Sequence, residues 1–203
     1  MSAPSIRMDL LSVLRTLHDV RTDEVLLTSM GNGREWQQFE PHPLDFVHVP
    51  SSMGQTQSWG LGIAIAQPSR RVVACCGDGS LLMNLGSLVT IANVAPANFT
   101  LLVFDNGVYE VTGGQSTPAS NIDQLIGQQI GFARLAEECG FRHTERITTL
   151  DEWQRRAETL LKSVGPVCAV LEVAPQTKDY SVRSPGRPKE RVREFAATLQ
   201  ESG

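Results

Sequence analysis

The sequence has no excess of positive charge, no long apolar run and no regular spacing of cysteines, and each absence removes a class of function. The 18 Lys and Arg residues stand against 22 Asp and Glu, a net charge of −4. Such a chain has no basic field for a phosphate backbone, and the arginines of "VRSPGRPKERVR" alternate with Pro, Gly and Glu, so nucleic acid is not an expected partner. No window approaches the roughly 18 consecutive apolar residues of a membrane span, and no membrane partner is expected. The N-terminal "MSAPSIRMDLLSVLRTL" is amphipathic and no small-residue cleavage site follows it, which reads as a helix of a cytoplasmic protein. Cys75, Cys76, Cys139 and Cys168 lack the C-x2-C spacing of a zinc site, and adjacent cysteines rarely bridge because the geometry is strained. They read as small packed residues of a protein kept in a reducing compartment.

What is present is an alternation of short apolar runs with helical patterns. Leu10, Leu11, Leu14 and Leu17 recur at helical spacing, and "VLLTSM" reads as a buried strand ending in a glycine loop, "GNG". "DFVHV" reads as the next strand, followed by a helix over "SSMGQTQSWGLGIAIAQP" that Ser51 or Ser52 caps and Pro68 stops. "RRVVACC", "FTLLVFDNG" and "PVCAVLEV" are further strands. "SLLMNLGSLVTIANVA" is a helix ended by Pro96, and helices also fall near "IGFARLAEECG" and over "LDEWQRRAETLLKSV", the latter started by Thr149 or Asp151. The loop "VYEVTGGQSTPASNIDQ", about 15 residues long, has the length and composition of a functional loop. This order predicts an α/β fold: a doubly wound, mostly parallel sheet with helices on both faces, over residues 1–175. Residues 176–203 lose the alternation and read as a C-terminal arm with a helix at "ERVREFAATLQ". No internal repeat is visible.

Ligands of such sheets sit at the carboxyl ends of the strands, and "GNG", "SSMG", "CGDGS" and "DNGVYE" all fall at that edge. Gly77-Asp78-Gly79 alone is an ordinary turn signal. Placed between a strand and a helix, it gains a second meaning: the amides of Gly79 and Ser80 can bind an anion while Asp78 reaches a cation bound to that anion. A magnesium ion needs further oxygen ligands from a neighbouring strand end. Asp105-Asn106-Gly107 offers one, with Asn106 lying 106 − 78 = 28 residues after Asp78, room for one helix and one strand.

"GDGS" followed at this interval by "DNG" resembles the diphosphate-binding signature of thiamine diphosphate-dependent enzymes, GDG and then paired asparagines, with Asp105 standing for the first asparagine. The resemblance implies a thiamine diphosphate-binding fold with thiamine diphosphate and Mg2+ as cofactors. It implies Asp78, the Asn106 side chain and the Val108 carbonyl as metal ligands, and no direct metal contact for Asp105. "SSMGQTQSWGLGIAIA" resembles the family's pyrimidine-contacting stretch, which implies Ser51, Ser52 and Met53 as cofactor contacts, Met53 being the apolar wedge. "TSMGNG" resembles the loop that touches the diphosphate, implicating Gly31 and Asn32 beside Gly77, Gly79 and Ser80. "GSLVTIA" and "YEVTGGQSTP" are similar to the phosphonopyruvate and sulfopyruvate decarboxylases. That likeness puts Tyr109 with the cofactor contacts, and Glu110, Thr112 and Gln115 near the reacting centre, with Glu110 and Gln115 as catalytic candidates.

By the same resemblance, the glutamate that activates the aminopyrimidine belongs to a separate pyrimidine-binding domain. Glu24, Glu35 and Glu40 cannot be assigned that role. The expectation is therefore the diphosphate-binding subunit of a 2-oxo acid decarboxylase, working in a hetero-oligomer with a pyrimidine-binding subunit on a small anionic oxo acid. An acetolactate-type carboligase subunit, a non-catalytic cofactor-binding regulatory subunit, and a generic nucleotide-binding or receiver-like module remain open alternatives. Arg34, Arg183 and Arg187 are candidate anion donors or plain surface charges. His42, His48 and His143 are candidates for catalysis or for structural roles.

Overall fold

In a computed structural model, which describes residues 7–46, 53–120, 130–176 and 186–201, the strands assemble into one six-stranded sheet in the order β2-β1-β3-β4-β8-β7. These are β1 (Val25–Thr28), β2 (Asp45–Phe46), β3 (Val72–Gly77), β4 (Phe99–Asp105), β7 (His143–Ile147) and β8 (Val167–Glu172). Every pairing in this sheet is parallel. The hairpin β5 (Val108–Tyr109) and β6 (Gln115–Ser116) stands apart. Because β2 lies on one side of β1 and β3 on the other, the order of connection reverses between β1 and β3. A crevice at the carboxyl ends is the geometric result.

Side chains along each strand alternate between two apolar layers. Val72, Ala74, Cys76, Leu101, Val103 and Cys168 face α3 (Thr56–Ala66), α5 (Ser87–Val94) and α6 (Phe132–Cys139). Val73, Cys75, Leu102, Phe104 and Ala169 face α1 (Leu10–Val20), α2 (Met30–Trp36) and α7 (Leu150–Lys162). Cys75 and Cys76 therefore point to opposite layers. Both are buried and free, and burial pushes both thiols up from their ordinary range. They pack the sheet, as the sequence predicts, and thiolate chemistry is closed to them.

Helix starts follow local chemistry. Asp9 caps α1 by accepting from the Ser12 amide at 2.8 Å, and Thr149 caps α7 by accepting from the Glu152 amide, which selects Thr149 over Asp151. The helix α8 (Pro188–Glu201) falls where the arm was expected to be helical; its Phe195 ring lies 5.1 Å from that of Phe46.

Three local expectations are corrected. α3 starts at Thr56 with Gln55 at its N-cap, downstream of the serines expected to cap it. "GNG" is the beginning of α2, not a loop: Met30 takes φ +53°, which turns the chain sharply after β1. Buried Glu35 and Trp36 then anchor the helix against its weak glycine-rich propensity. The single helix read over "SLLMNLGSLVTIANVA" is two, α4 (Asp78–Leu82) and α5. The break falls at residues 83–86, where Asn84 Nδ2 donates to the Gly54 carbonyl and the Asn84 carbonyl accepts from Ser87 Oγ.

Helix α3 seats on the sheet through Gly60. A Cβ there would stand 2.8 Å from the Phe99 ring and 3.0 Å from Ala74 Cβ, whereas one at Gly62 would meet nothing within 4 Å. Gly60→Ala is expected to destabilise by about 1 kcal/mol, because overpacking outweighs the helix-propensity gain. Gly62→Ala is expected to stabilise by about 0.5–1 kcal/mol. Thermal unfolding of the two variants beside the parent checks the opposite signs.

Candidate functional site

At the carboxyl ends of β1, β3 and β4 lies a cavity of about 230 Å³, walled by residues 29–32, residues 77–80, Asn106 and residues 108–112, with Met53 and Met83 at its side. It is the crevice that the strand order requires. Of the candidate residues, Gly31, Asn32, Met53, Gly77, Asp78, Gly79, Ser80, Asn106, Val108, Tyr109, Glu110 and Thr112 all line it. Ser51, Ser52, His48 and Arg183 lie outside the described residues.

Asp78 opens α4 directly after β3 and is 1% exposed. Its carboxylate accepts from Thr117 Oγ1 at 3.2 Å and from the Gly79 and Asn106 amides. Burial, and then the neighbouring charge of Asp105, push its carboxyl up to about 6 against these hydrogen bonds. Asp105 is also raised by burial, with the Arg7 guanidinium opposing. Among the described residues no basic side chain forms an ion pair with Asp78. A cation entering the cavity meets a ready carboxylate.

Asn106 is held from two sides. Its Oδ1 accepts from the Val108 amide at 2.9 Å, and its Nδ2 donates to Glu110 Oε1 at 2.8 Å. Glu110 Oε1 also accepts from the Gln176 amide at 2.7 Å. The intervening Gly107 takes φ +76°, which a side chain would resist; its carbonyl accepts from the Thr117 amide and Ser120 Oγ. One close approach demands glycine and a second is tight. A Cβ on Gly79 would lie 2.6 Å from the Tyr109 ring, and one on Gly31 would lie 3.2 Å from Glu110 Oε2. Ser80 Oγ accepts from the Gly54 amide at 2.9 Å, and Asn84 holds the Gly54 carbonyl at 2.7 Å. The turn beside Met53 is thus tied to α4.

Gln115 falls outside the cavity wall. It is exposed and exchanges hydrogen bonds with Thr112, donating to its carbonyl at 2.8 Å and accepting from its hydroxyl at 2.9 Å. Sequence proximity to Glu110 suggested a shared site, but the hairpin carries Gln115 outward. The arginines are also elsewhere: Arg34 is paired with Glu35, and Arg187 lies 85% exposed beside Glu190. His42 sits with Arg21 next to β2, and His143 is exposed on the edge strand. The sequence reading missed Ser29, Met30, Met83 and Phe104 in the wall, and Thr117 behind Asp78. Their positions follow from which strand ends converge, information that no local motif carries.

The donor set fits a hard divalent cation bound to a phosphorylated ligand: one buried carboxylate, one amide oxygen and main-chain carbonyls, with coordination positions left for non-protein oxygens. Among the described residues there is no cluster of three or more His, Cys, Asp or Glu that would make a self-sufficient metal cage.

This fold and this pairing of strand ends define a thiamine pyrophosphate-binding domain. Residues 28–171 match the family described as "Thiamine pyrophosphate enzyme, C-terminal TPP binding domain", and the chain belongs to that family. Among similar proteins, the phosphonopyruvate decarboxylase of Streptomyces viridochromogenes is 35% identical over 184 residues, covering 90% of this chain and 44% of that protein. The sulfopyruvate decarboxylase subunit beta of Methanothermobacter thermautotrophicus is 34% identical over 179 residues, covering 86% of this chain and 87% of the subunit. The chain thus spans less than half of the first relative and most of the second. An X-ray structure from Mycobacterium smegmatis, assigned as a thiamin diphosphate-dependent enzyme, shares the fold with a TM-score of 0.68 at 23% identity, covering 84% of this chain and 32% of that one.

In the ligand-free chain the raised carboxyl of Asp78 makes its ionisation unfavourable. Between about pH 4 and pH 6 the folded state binds more protons than the unfolded state, and this group's contribution to stability falls as pH rises. Asp78→Asn is therefore expected to remove this group's loss of stability between about pH 4 and pH 6 from the ligand-free chain. The same substitution is expected to abolish magnesium-dependent binding of thiamine diphosphate. Thermal unfolding across pH and calorimetric titration check the two halves.

Proposed function

We propose that this chain is the diphosphate-binding component of a thiamine diphosphate- and magnesium-dependent 2-oxo acid decarboxylase acting on an anionic pyruvate derivative of the sulfopyruvate or phosphonopyruvate type. One observation carries the reading: Asp78 and Asn106, each the residue just past the carboxyl end of one of two adjacent parallel strands, face one cavity in a chain that matches a sulfopyruvate decarboxylase beta subunit over 87% of the subunit's length.

Asp78, Asn106 and the Val108 carbonyl would hold Mg2+. The Gly79 and Ser80 amides, with Gly31 and Asn32, would hold the diphosphate, and Met53, with Ser51 and Ser52, would meet the other end of the cofactor. When bound, thiamine diphosphate supplies the electron sink for decarboxylation. Glu110 keeps the Asn106 amide oriented and presents its second oxygen beside Gly31, where it can hold or move a proton. Tyr109 closes one wall over Gly79 and restricts water.

The activating glutamate is assigned to a partner chain carrying the pyrimidine-binding domain. In support, the carboxylates lining the cavity among the described residues are Asp78 and Glu110, and both are engaged with the diphosphate side. Glu35 is paired with Arg34, and Glu24 accepts from the Thr22 amide. We assign residues 1–175 to the cofactor domain and 176–203 to the arm. A cytoplasmic setting accords with four free cysteines, three of them buried, and among the described residues no helix is long and apolar enough to cross a membrane.

Copurification followed by a screen of sulfopyruvate, phosphonopyruvate, pyruvate and arylpyruvates tests the proposal. The expected result is carbon dioxide release from an anionic pyruvate derivative only when a pyrimidine-domain partner is present. Full activity of the chain alone overturns the split site. Joined oxo acids identify a carboligase, and cofactor binding without turnover of any oxo acid identifies a regulatory subunit.

A further inference from the structure

Three buried acids stand side by side along the carboxyl ends of adjacent strands: Asp78 after β3, Asp105 ending β4 and Glu172 ending β8, with Asp105 and Glu172 in direct register. Two arginines face them. Arg146 on β7 pairs with Glu172, its Nε donating to Oε1 at 2.6 Å. Arg7 comes from the segment before α1, where Met8 is laid parallel to Val173: the Met8 amide donates to the Glu172 carbonyl and the Met8 carbonyl accepts from Ala174. From there Arg7 Nη1 donates to the Asp105 carbonyl at 2.8 Å and the Val173 carbonyl at 3.4 Å, and lies 3.9 Å from Asp105 Oδ1. Its guanidinium also covers the turn, both Nη atoms standing 3.5 Å from where a Cβ on Gly107 would be.

Among the described residues, three acids and two arginines leave one carboxylate without a cationic partner, and it is Asp78, the one that lines the cavity. Asp105 is next to Asn106 in sequence and close enough to Asp78 to disfavour its ionisation. Left uncompensated, it would be a second buried anion behind the cation site, competing for the cation and free to pull the Asn106 turn out of place.

We propose that Arg7 is a positioning residue for the cofactor site. It neutralises Asp105 and holds it back against the end of β4, so that the side chains meeting the bound cation are those of Asp78 and Asn106, beside the Val108 carbonyl. The proposal rests on the magnesium and diphosphate reading above. Arg7 need not touch cofactor or substrate; it acts through Asp105 and the turn that presents Asn106.

A charge-compensation role differs from a plain clamp in what rescues its loss. The test compares the parent, Arg7→Ala, Asp105→Asn and the double variant, each purified with any copurifying partner. Magnesium is titrated calorimetrically at fixed thiamine diphosphate, and thermal unfolding is followed without ligand. Arg7→Ala is expected to weaken magnesium affinity about tenfold, and adding Asp105→Asn to recover most of that loss, because no stranded charge remains. An affinity unchanged by Arg7→Ala, or a double variant as weak as Arg7→Ala alone, overturns the proposal. Should Arg7→Ala not fold, the double variant is read against Asp105→Asn. Equal affinities support compensation, and a further tenfold loss overturns it. A parent that shows no magnesium-dependent binding overturns the underlying reading itself, a result distinct from an additive cycle in a parent that binds.

Discussion

The site depends on one buried carboxylate that has no counter-charge among the described residues. Asp78 sits at the end of a strand with both neighbours in place, so it cannot turn to water, and it is surrounded by hydrogen-bond donors that temper its charge without cancelling it. Burial of an ion is tolerable only when something pairs with it. The surrounding architecture answers this demand: strand ends that leave a cavity in front, a hydroxyl from Thr117 behind, and arginines assigned to the other two acids.

The parallel sheet is what makes such a carboxylate available. Strands buried on both faces deliver their carboxyl ends to one edge in register, and β3 and β4 bring residues 28 apart in sequence to neighbouring positions there. That edge also collects the helix-start amides, so opposite charges are separated by architecture before any ligand arrives. The cost is a cluster of like-charged groups, and the register pairing of Asp105 with Glu172 shows how near that cluster comes to self-repulsion.

Much of this was legible in the sequence because it rests on local rules. An apolar run, Gly-Asp-Gly, a helix, a second apolar run and Asp-Asn-Gly describe one parallel crossover, and a crossover returns the chain to the same edge whatever lies between. The cysteines could be read as packing because strand alternation sends neighbours to opposite faces. Other parts were illegible for an equally definite reason. Thr117 reaches Asp78 across 39 positions, and Arg7 reaches Asp105 across 98; neither carries a local signal. The helix at "GNG" forms because Glu35 and Trp36 are buried, a tertiary effect that overrides propensity. Gln115 looked equivalent to Glu110 at close sequence distance, yet the hairpin sends one outward and the other into the wall.

The tie through Gly54 has a mechanical meaning. Its amide is fixed by Ser80 on α4 and its carbonyl by Asn84 just beyond, so the turn that carries Met53 and the helix start that carries Asp78 are tied to one another. The two sides of the cavity are therefore held at a set separation before any ligand arrives.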